Sequence, residues 1–249
     1  SFVLSRIARP TVLIASLAAL ALPAQAEQSA KPEQLVIVSF DGAHDNAMWD
    51  RSLKMAEKTG AHFTYFLSCT FLMSKAERKS YKAPGKSAGA SNIGFAPDHT
   101  DVEKRLNHIW TAYKSGHEMG SHGCGHFDGG SWTAAQWSAE FDQFDRVVKA
   151  AWDTIGKKDQ EPDGWQDMAA NAIHGFRAPY LSAGDALFKA LAEHGFTYDA
   201  STVSRGPAKP EIDKVPARFA LPLIPEGPRE RRVIAMDYNL FVRHSKGEE

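Results

Sequence analysis

Cysteine is scarce in this chain, which has two, Cys69 and Cys124, among 249 residues. So few exclude a disulfide-framed scaffold and leave room for a single bridge in an oxidising compartment. A dominant charge is lacking too: 29 Lys and Arg stand against 30 Asp and Glu, a net charge of −1. No basic cluster interleaves with aromatic residues, so nucleic acid is not an expected partner. A long hydrophobic run is also missing. The apolar stretch 11–22 falls short of the roughly 20 residues that a bilayer span takes, and polar sequence follows it. No internal repeat and no second domain are visible.

The amino terminus has the pattern of an export signal. Arg6 and Arg9 form a basic start, 11–22 an apolar core, and Ala24-Gln25-Ala26 a small-x-small cleavage site. Residues 1–26 are therefore expected to be removed, leaving 27–249 as one exported domain, periplasmic or secreted, with no stable membrane span. About 220 residues suffice for a full core, and an α/β barrel of that size is ordinary.

Strands and helices alternate along the rest of the chain. The β-branched run 34–40 reads as a strand buried on both faces and leads straight into Asp41-Gly42. A helix through Trp49, Leu53 and Ala56 to Gly60, then a strand over 62–67, complete a βαβ pattern. The segment 70–99 is basic, then rich in Gly, Ser, Pro and Asn without period, and reads as a long surface excursion. Thr100 and Glu103 frame a capping box for a helix ending near Gly116, and a short strand follows at 117–120. Thr133 and Gln136 frame a second box, for a helix with apolar positions 137, 141, 144, 148, 151, 152 and 155. Strand ends are expected at 175–177 and 196–199, a helix at 186–194 stopped by Gly195, and a last strand at 232–237. The proline-rich 202–231 reads as irregular.

The chemistry concentrates in the stretch 116–130. His122 and His126 lie four residues apart among Gly120, Gly123, Gly125, Gly129 and Gly130, which make a helix costly and favour a loop wrapped around an ion. Neutral imidazole suits zinc and neighbouring transition metals. Asp41, the histidine loop, Arg177 and Asp199 all fall at or just past strand ends, the face on which α/β barrels build active sites.

Four segments in this order resemble the NodB-type polysaccharide deacetylases, carbohydrate esterase family 4: Ser39-Phe40-Asp41-Gly42; His122-Gly-Cys-Gly-His126, preceded by Gly116-His-Glu-Met-Gly; Arg177-Ala-Pro-Tyr180; and Tyr198-Asp199-Ala-Ser201. The resemblance spans about 34–240 and implies a distorted (β/α) barrel that removes acetyl groups from an N-acetylated glycan of the cell envelope. It implies one divalent metal, zinc first, held by His122 and His126 and acting as a Lewis acid. Asp41 would be the general base, Arg177 would hold its carboxylate, and the Tyr180 backbone N–H would stabilise the oxyanion.

The chain departs from that family at Gly42, where a second, metal-binding aspartate is usual. Asp45 is the expected substitute, swung back by the turn that Gly42 permits; otherwise Asp41 ligates the ion and another group, such as His44, is the base. Asp45 is equally suited to cap the following helix. The aspartate-x-tryptophan motif and the late leucine-x-histidine motif have no match, Val242-Arg-His244 being a poor one, and the chain stops in charged residues after a strand. An open barrel, incomplete at its C-terminal end, is expected. Cys69 and Cys124 follow adjacent strands in the implied barrel order and could pair, unless Cys69 is inert and Cys124 a soft metal ligand; His117 is expected to be structural. Two other functions fit the same residues: a glycan-binding protein without catalysis, and a hydrolase of O-acetyl esters or small amides.

Overall fold

The computed structural model describes residues 34–245. The export-signal pattern at 1–26 lies outside them. Strand β1, Ser39–Gly42, is followed by helix α1, Asn46–Thr59, strand β2, Thr64–Leu67, helix α2, His99–Lys114, and strand β3, Glu118–Ser121. Helices α3, Ala134–Thr154, and α4, Trp165–Asn171, then lead to strand β4, Gly175–Phe176, helix α5, Asp185–His194, and strand β5, Tyr198–Asp199. Beyond these come strands β6, Val203–Ser204, β7, Ala217–Arg218, β8, Leu221–Glu226, and β9, Arg231–Ile234, and helix α6, Asp237–Ser245.

Six strands form one parallel sheet in the order β1-β2-β3-β4-β5-β7, each of the first four connections carrying a helix. This is an α/β fold. Its outer strands β1 and β7 are not joined among the described residues. A single row of registered partners crosses all six strands: Gly42, Leu67, Ser121, Phe176, Asp199 and Arg218. That row fixes the site, because Asp41 immediately precedes it in β1 while His122 and Arg177 immediately follow it, just past the ends of β3 and β4.

Helix faces explain why the sheet is covered. In α1 the buried residues Trp49, Ser52 and Ala56 recur at three and four. In α3 Trp137, Phe141, Phe144, Val148, Ala151 and Trp152 do the same, which is the spacing of one helix face. Where two interior rings press against the sheet, no side chain fits opposite. A Cβ on Gly120 would lie 2.6 Å from the Phe66 ring, and one on Gly175 would collide with the Tyr198 ring.

Several expectations need correction. The first strand runs Ser39–Gly42 rather than 34–40, and Ile37 and Val38 stay 69% and 40% exposed beside an edge strand. The cap of α2 is Asp98, which accepts from the Asp101 N–H, not Thr100. The excursion 70–99 is not simply a surface loop. Phe71, Leu72, Met73, Tyr81, Ala83 and Ala96 are buried, most of them in the main core. The region 202–231 holds three strands, one of them the sixth strand of the sheet. The last strand, Arg231–Ile234, pairs antiparallel with β8 in a separate three-stranded sheet.

Candidate active site

Asp41 and Arg177 meet across the sheet. Arg177 Nη1 donates to Asp41 Oδ1 at 2.9 Å and to Ser39 Oγ at 2.7 Å, while its Nε donates to the Ala200 carbonyl at 3.0 Å. The guanidinium also lies 4.5 Å from the centre of the Phe66 ring. With the arginine side chain 8% exposed, this charge-assisted pair is shielded from water on one side, while the Asp41 carboxylate keeps 23% exposure toward solvent.

Arg177 also reaches the histidines through its backbone. His122 Nδ1 lies 2.7 Å from the Arg177 carbonyl oxygen, which can only accept, so Nδ1 carries the proton and Nε2 keeps its lone pair. The His122 and His126 rings stand 5.0 Å apart at 63°. Burial is the main force lowering both pKa values, opposed in each case by the Asp41 charge. Burial thus favours the neutral imidazole in both, the form that binds a cation. Tyr180 continues the row, its ring 4.9 Å from that of His126 and 61% exposed. Tyr180 and Leu181 both sit at positive φ, 57° and 55°, just past Pro179; such a conformation persists only where neighbours enforce it. Asp199 and Ser201 supply that enforcement: Ser201 Oγ donates to Asp199 Oδ1 at 2.6 Å and accepts from the Ala178 N–H at 2.8 Å. Asp199 is fully buried, and burial raises its pKa against the pull of Ser201, Arg218 and Arg177.

Asp45 is placed elsewhere. Its Oδ1 accepts from the Ala47 and Met48 N–H groups at 2.7 and 3.2 Å, capping α1. Gly42 and Ala43 are both at positive φ, 79° and 52°, so the chain turns away after Asp41 instead of folding Asp45 back over it. His44 is drawn off as well, its ring 4.3 Å from that of Phe71 and its carbonyl bound by the buried Arg105. Ser68 Oγ, buried without a hydrogen-bond partner among the described residues, lies 3.9 Å from where a Gly42 Cβ would be. A side chain at 42 is missing just where the resemblance predicts a carboxylate.

The donors suit a divalent ion in part. Two neutral imidazoles on one loop, one of them oriented through its far nitrogen, are good nitrogen ligands. Among the described residues, no group of three or more His, Cys, Asp and Glu side chains is close enough to hold an ion. Of the two aspartates weighed as ligands, Asp41 is the one whose charge acts on both rings.

The histidine loop is braced from behind by the expected pairing of the two cysteines and by Glu140, Tyr81 and Asn92, which the sequence did not mark. Cys69 and Cys124 form a disulfide, which rules out Cys124 as a thiolate ligand. Glu140 of α3 is 3% exposed and accepts from the Cys124 N–H at 2.8 Å and from the Tyr81 hydroxyl at 2.9 Å; that hydroxyl accepts in turn from the Gly125 N–H at 3.0 Å. Asn92 donates through its side chain to the His126 carbonyl at 2.9 Å and through its backbone to the Gly125 carbonyl at 2.8 Å. A charge at 140, on the helix face shared by Trp137 and Phe144, was the available signal. His117 is structural as expected, its Nδ1 accepting from the Phe63 N–H at 3.0 Å.

The family model of polysaccharide deacetylases matches residues 28–198. This chain belongs to that family. Comparison with curated proteins gives no match. Among solved structures, the chain is similar to the Xyl-CE4 domain of a multidomain xylanase from the hindgut metagenome of Trinervitermes trinervoides, with 16% identity, 63% of this chain and 54% of that one covered, and a TM-score of 0.38. It is also similar to a family 4 carbohydrate esterase from Streptomyces lividans in complex with acetate, with 14% identity, 66% and 60% covered, and a TM-score of 0.37. A third is a family 4 pseudoenzyme from Bacillus anthracis, with 15% identity, 65% and 41% covered, and a TM-score of 0.39. The match thus spans about half the length of these proteins.

Proposed function

We propose that this deacetylase-family protein is an exported hydrolase that removes acetyl groups from an N-acetylated glycan of the cell envelope. The observation that carries the reading is the double role of Arg177, whose side chain holds Asp41 and whose carbonyl orients His122. One residue thereby sets the distance between a carboxylate base and the pair of imidazoles.

His122 and His126 would hold a divalent ion, zinc first, and an ion bound there polarises the acetyl carbonyl and lowers the pKa of water. The chain's own residues do the rest. Asp41, held in place by the Arg177 guanidinium, accepts the proton from the attacking water. Arg177, pinned by Ser39 and Ala200, stops that carboxylate from rotating away. The turn at Pro179, fixed through Asp199 and Ser201, presents the Tyr180 backbone to the carbonyl oxygen as it gains charge. The exposed Tyr180 ring beside His126 offers a flat surface to a sugar.

Acetate release from a neutral N-acetylated hexasaccharide tests the reading, with divalent metal supplied. Wild type should release acetate and His122→Ala should not. A wild type that releases none, yet binds the hexasaccharide, would favour a glycan-binding protein, the reading that Gly42 supports by leaving the ion without a carboxylate as its third ligand. Faster release from an O-acetylated substrate would assign the site to ester hydrolysis.

A further inference from the structure

Cations without carboxylate partners gather on the segment that braces the histidine loop. Lys75, Arg78, Lys79, Lys82 and Lys86 are all exposed. The one acid in that stretch, Glu77, is engaged with Ser74 and His99. Arg146 of α3 adds a sixth positive group by donating to the Ser80 carbonyl at 3.0 Å. Among the described residues, none of the six belongs to an ion pair.

The segment is held rigidly at the edge of the site. Tyr81 and Ala83 are buried. The Lys82 backbone exchanges two hydrogen bonds with the Gln143 side chain, at 2.8 and 2.7 Å. Asn92 ties the far end to Gly125 and His126, as described above. Lys86 Nζ lies 5.2 Å from the centre of the Phe127 ring, and Phe127 is the residue after His126. The positive surface therefore begins at Lys86, over the ring of the residue that follows His126, and runs back along 86–75. Clustered like charges repel one another and weaken the fold. A neutral glycan would gain nothing from them, whereas a chain with regularly spaced anions would meet several at once, within a Debye length of about 8–10 Å at physiological salt.

We propose that this rim selects an N-acetylated glycan whose sugars carry carboxylates, the carboxylates lying along 75–86 while an acetyl group occupies the histidine pair. The proposal rests on the deacetylase reading and narrows its substrate class.

Calorimetric titration of the mature protein with two hexasaccharides separates the two claims. One is a neutral N-acetylglucosamine oligomer and the other alternates N-acetylglucosamine with glucuronate; both are titrated in low and in high salt. The anionic oligomer should bind at least about 10-fold more tightly in low salt, an advantage that shrinks toward unity as salt screens the rim. A Lys79→Gln, Lys82→Gln, Lys86→Gln triple variant should lose that advantage and keep its affinity for the neutral oligomer. Equal affinities, a preference insensitive to salt, or a preference that survives in the triple variant would overturn the proposal. So would binding to anionic lipid vesicles without binding to the anionic oligomer. Acetate release is scored separately: release from both oligomers at equal affinity would uphold the deacetylase and sink the rim, and preferential binding without release would do the reverse.

Discussion

Glu140→Ala is the most searching perturbation of the histidine loop. It removes the acceptor for two buried donors, the Cys124 N–H and the Tyr81 hydroxyl. Each unpaired donor costs about 1–3 kcal/mol, and the truncated side chain leaves a small cavity beneath Gly123, so a loss of about 4 kcal/mol is expected. For a domain of this size that lowers the melting temperature by about 8–16 °C. Glu140→Gln keeps an acceptor for Cys124 and exchanges only the charge, and should cost about 1 kcal/mol. The two variants also differ in pH response. Burial raises the Glu140 pKa above its ordinary 4.5, so the folded state keeps this proton to higher pH than the unfolded chain does. Between the unfolded and the folded value the native state binds more protons, and stability falls as pH rises through that window. Glutamine abolishes the titration, so wild type should lose ground against Glu140→Gln as pH climbs from 4.5. Urea unfolding of wild type and both variants, followed by tryptophan fluorescence, measures all of this. An alanine variant within about 1 kcal/mol of wild type, or a glutamine variant as unstable as the alanine one, would refute the bracing role.

The other predictions concern single contacts. Reducing the Cys69–Cys124 bridge, whose cysteines are 55 residues apart, should destabilise the fold by about 4 kcal/mol on the chain-entropy estimate, and equal melting curves with and without reductant would contradict it. Asp45→Ala should cost about 1 kcal/mol through loss of the α1 cap while metal content stays unchanged; loss of metal would instead make Asp45 a ligand. His194 pairs with Asp145 at 2.9 Å, which raises its pKa, so its contribution to stability is complete below about pH 6.5 and fades as pH rises through the folded value. Unfolding titrations of His194→Gln should show a flatter pH dependence across that range than wild type.

Much of this architecture is legible in the residues. Thr133 and Gln136 form the reciprocal capping box that their spacing announces, and Gly60 and Gly195 end their helices in the left-handed conformation. Local signals suffice in such places because the contacts are made within a few residues. The α2 start was misread because Thr100-Glu103 has the right letters while Asp98, two residues earlier, reaches the free N–H first. In 70–99 the buried Phe71, Tyr81 and Ala96 follow no period, since distant partners rather than a regular element bury them. Pro222 and Pro225 disguised β8, the central strand of the small three-stranded sheet, a position from which proline is usually absent. The site divides in the same way. His122, His126, Asp41, Arg177 and Tyr180 were marked by motif and are brought together. Asp45 had two chemically reasonable roles, and the turn at Gly42 and Ala43 put it at the cap. Glu140, Tyr81 and Asn92 act on the loop across long sequence separations that no local pattern encodes.

The measurement that bears most directly on the account is acetate release by Asp41→Asn beside wild type, with bound metal counted in both. The substituted amide cannot take a proton, while His122 and His126 are untouched. Release should fall by about 10²–10⁴-fold with metal still bound. An asparagine variant as active as wild type would show that Asp41 is not the base, and one that had lost its metal would make Asp41 a ligand instead.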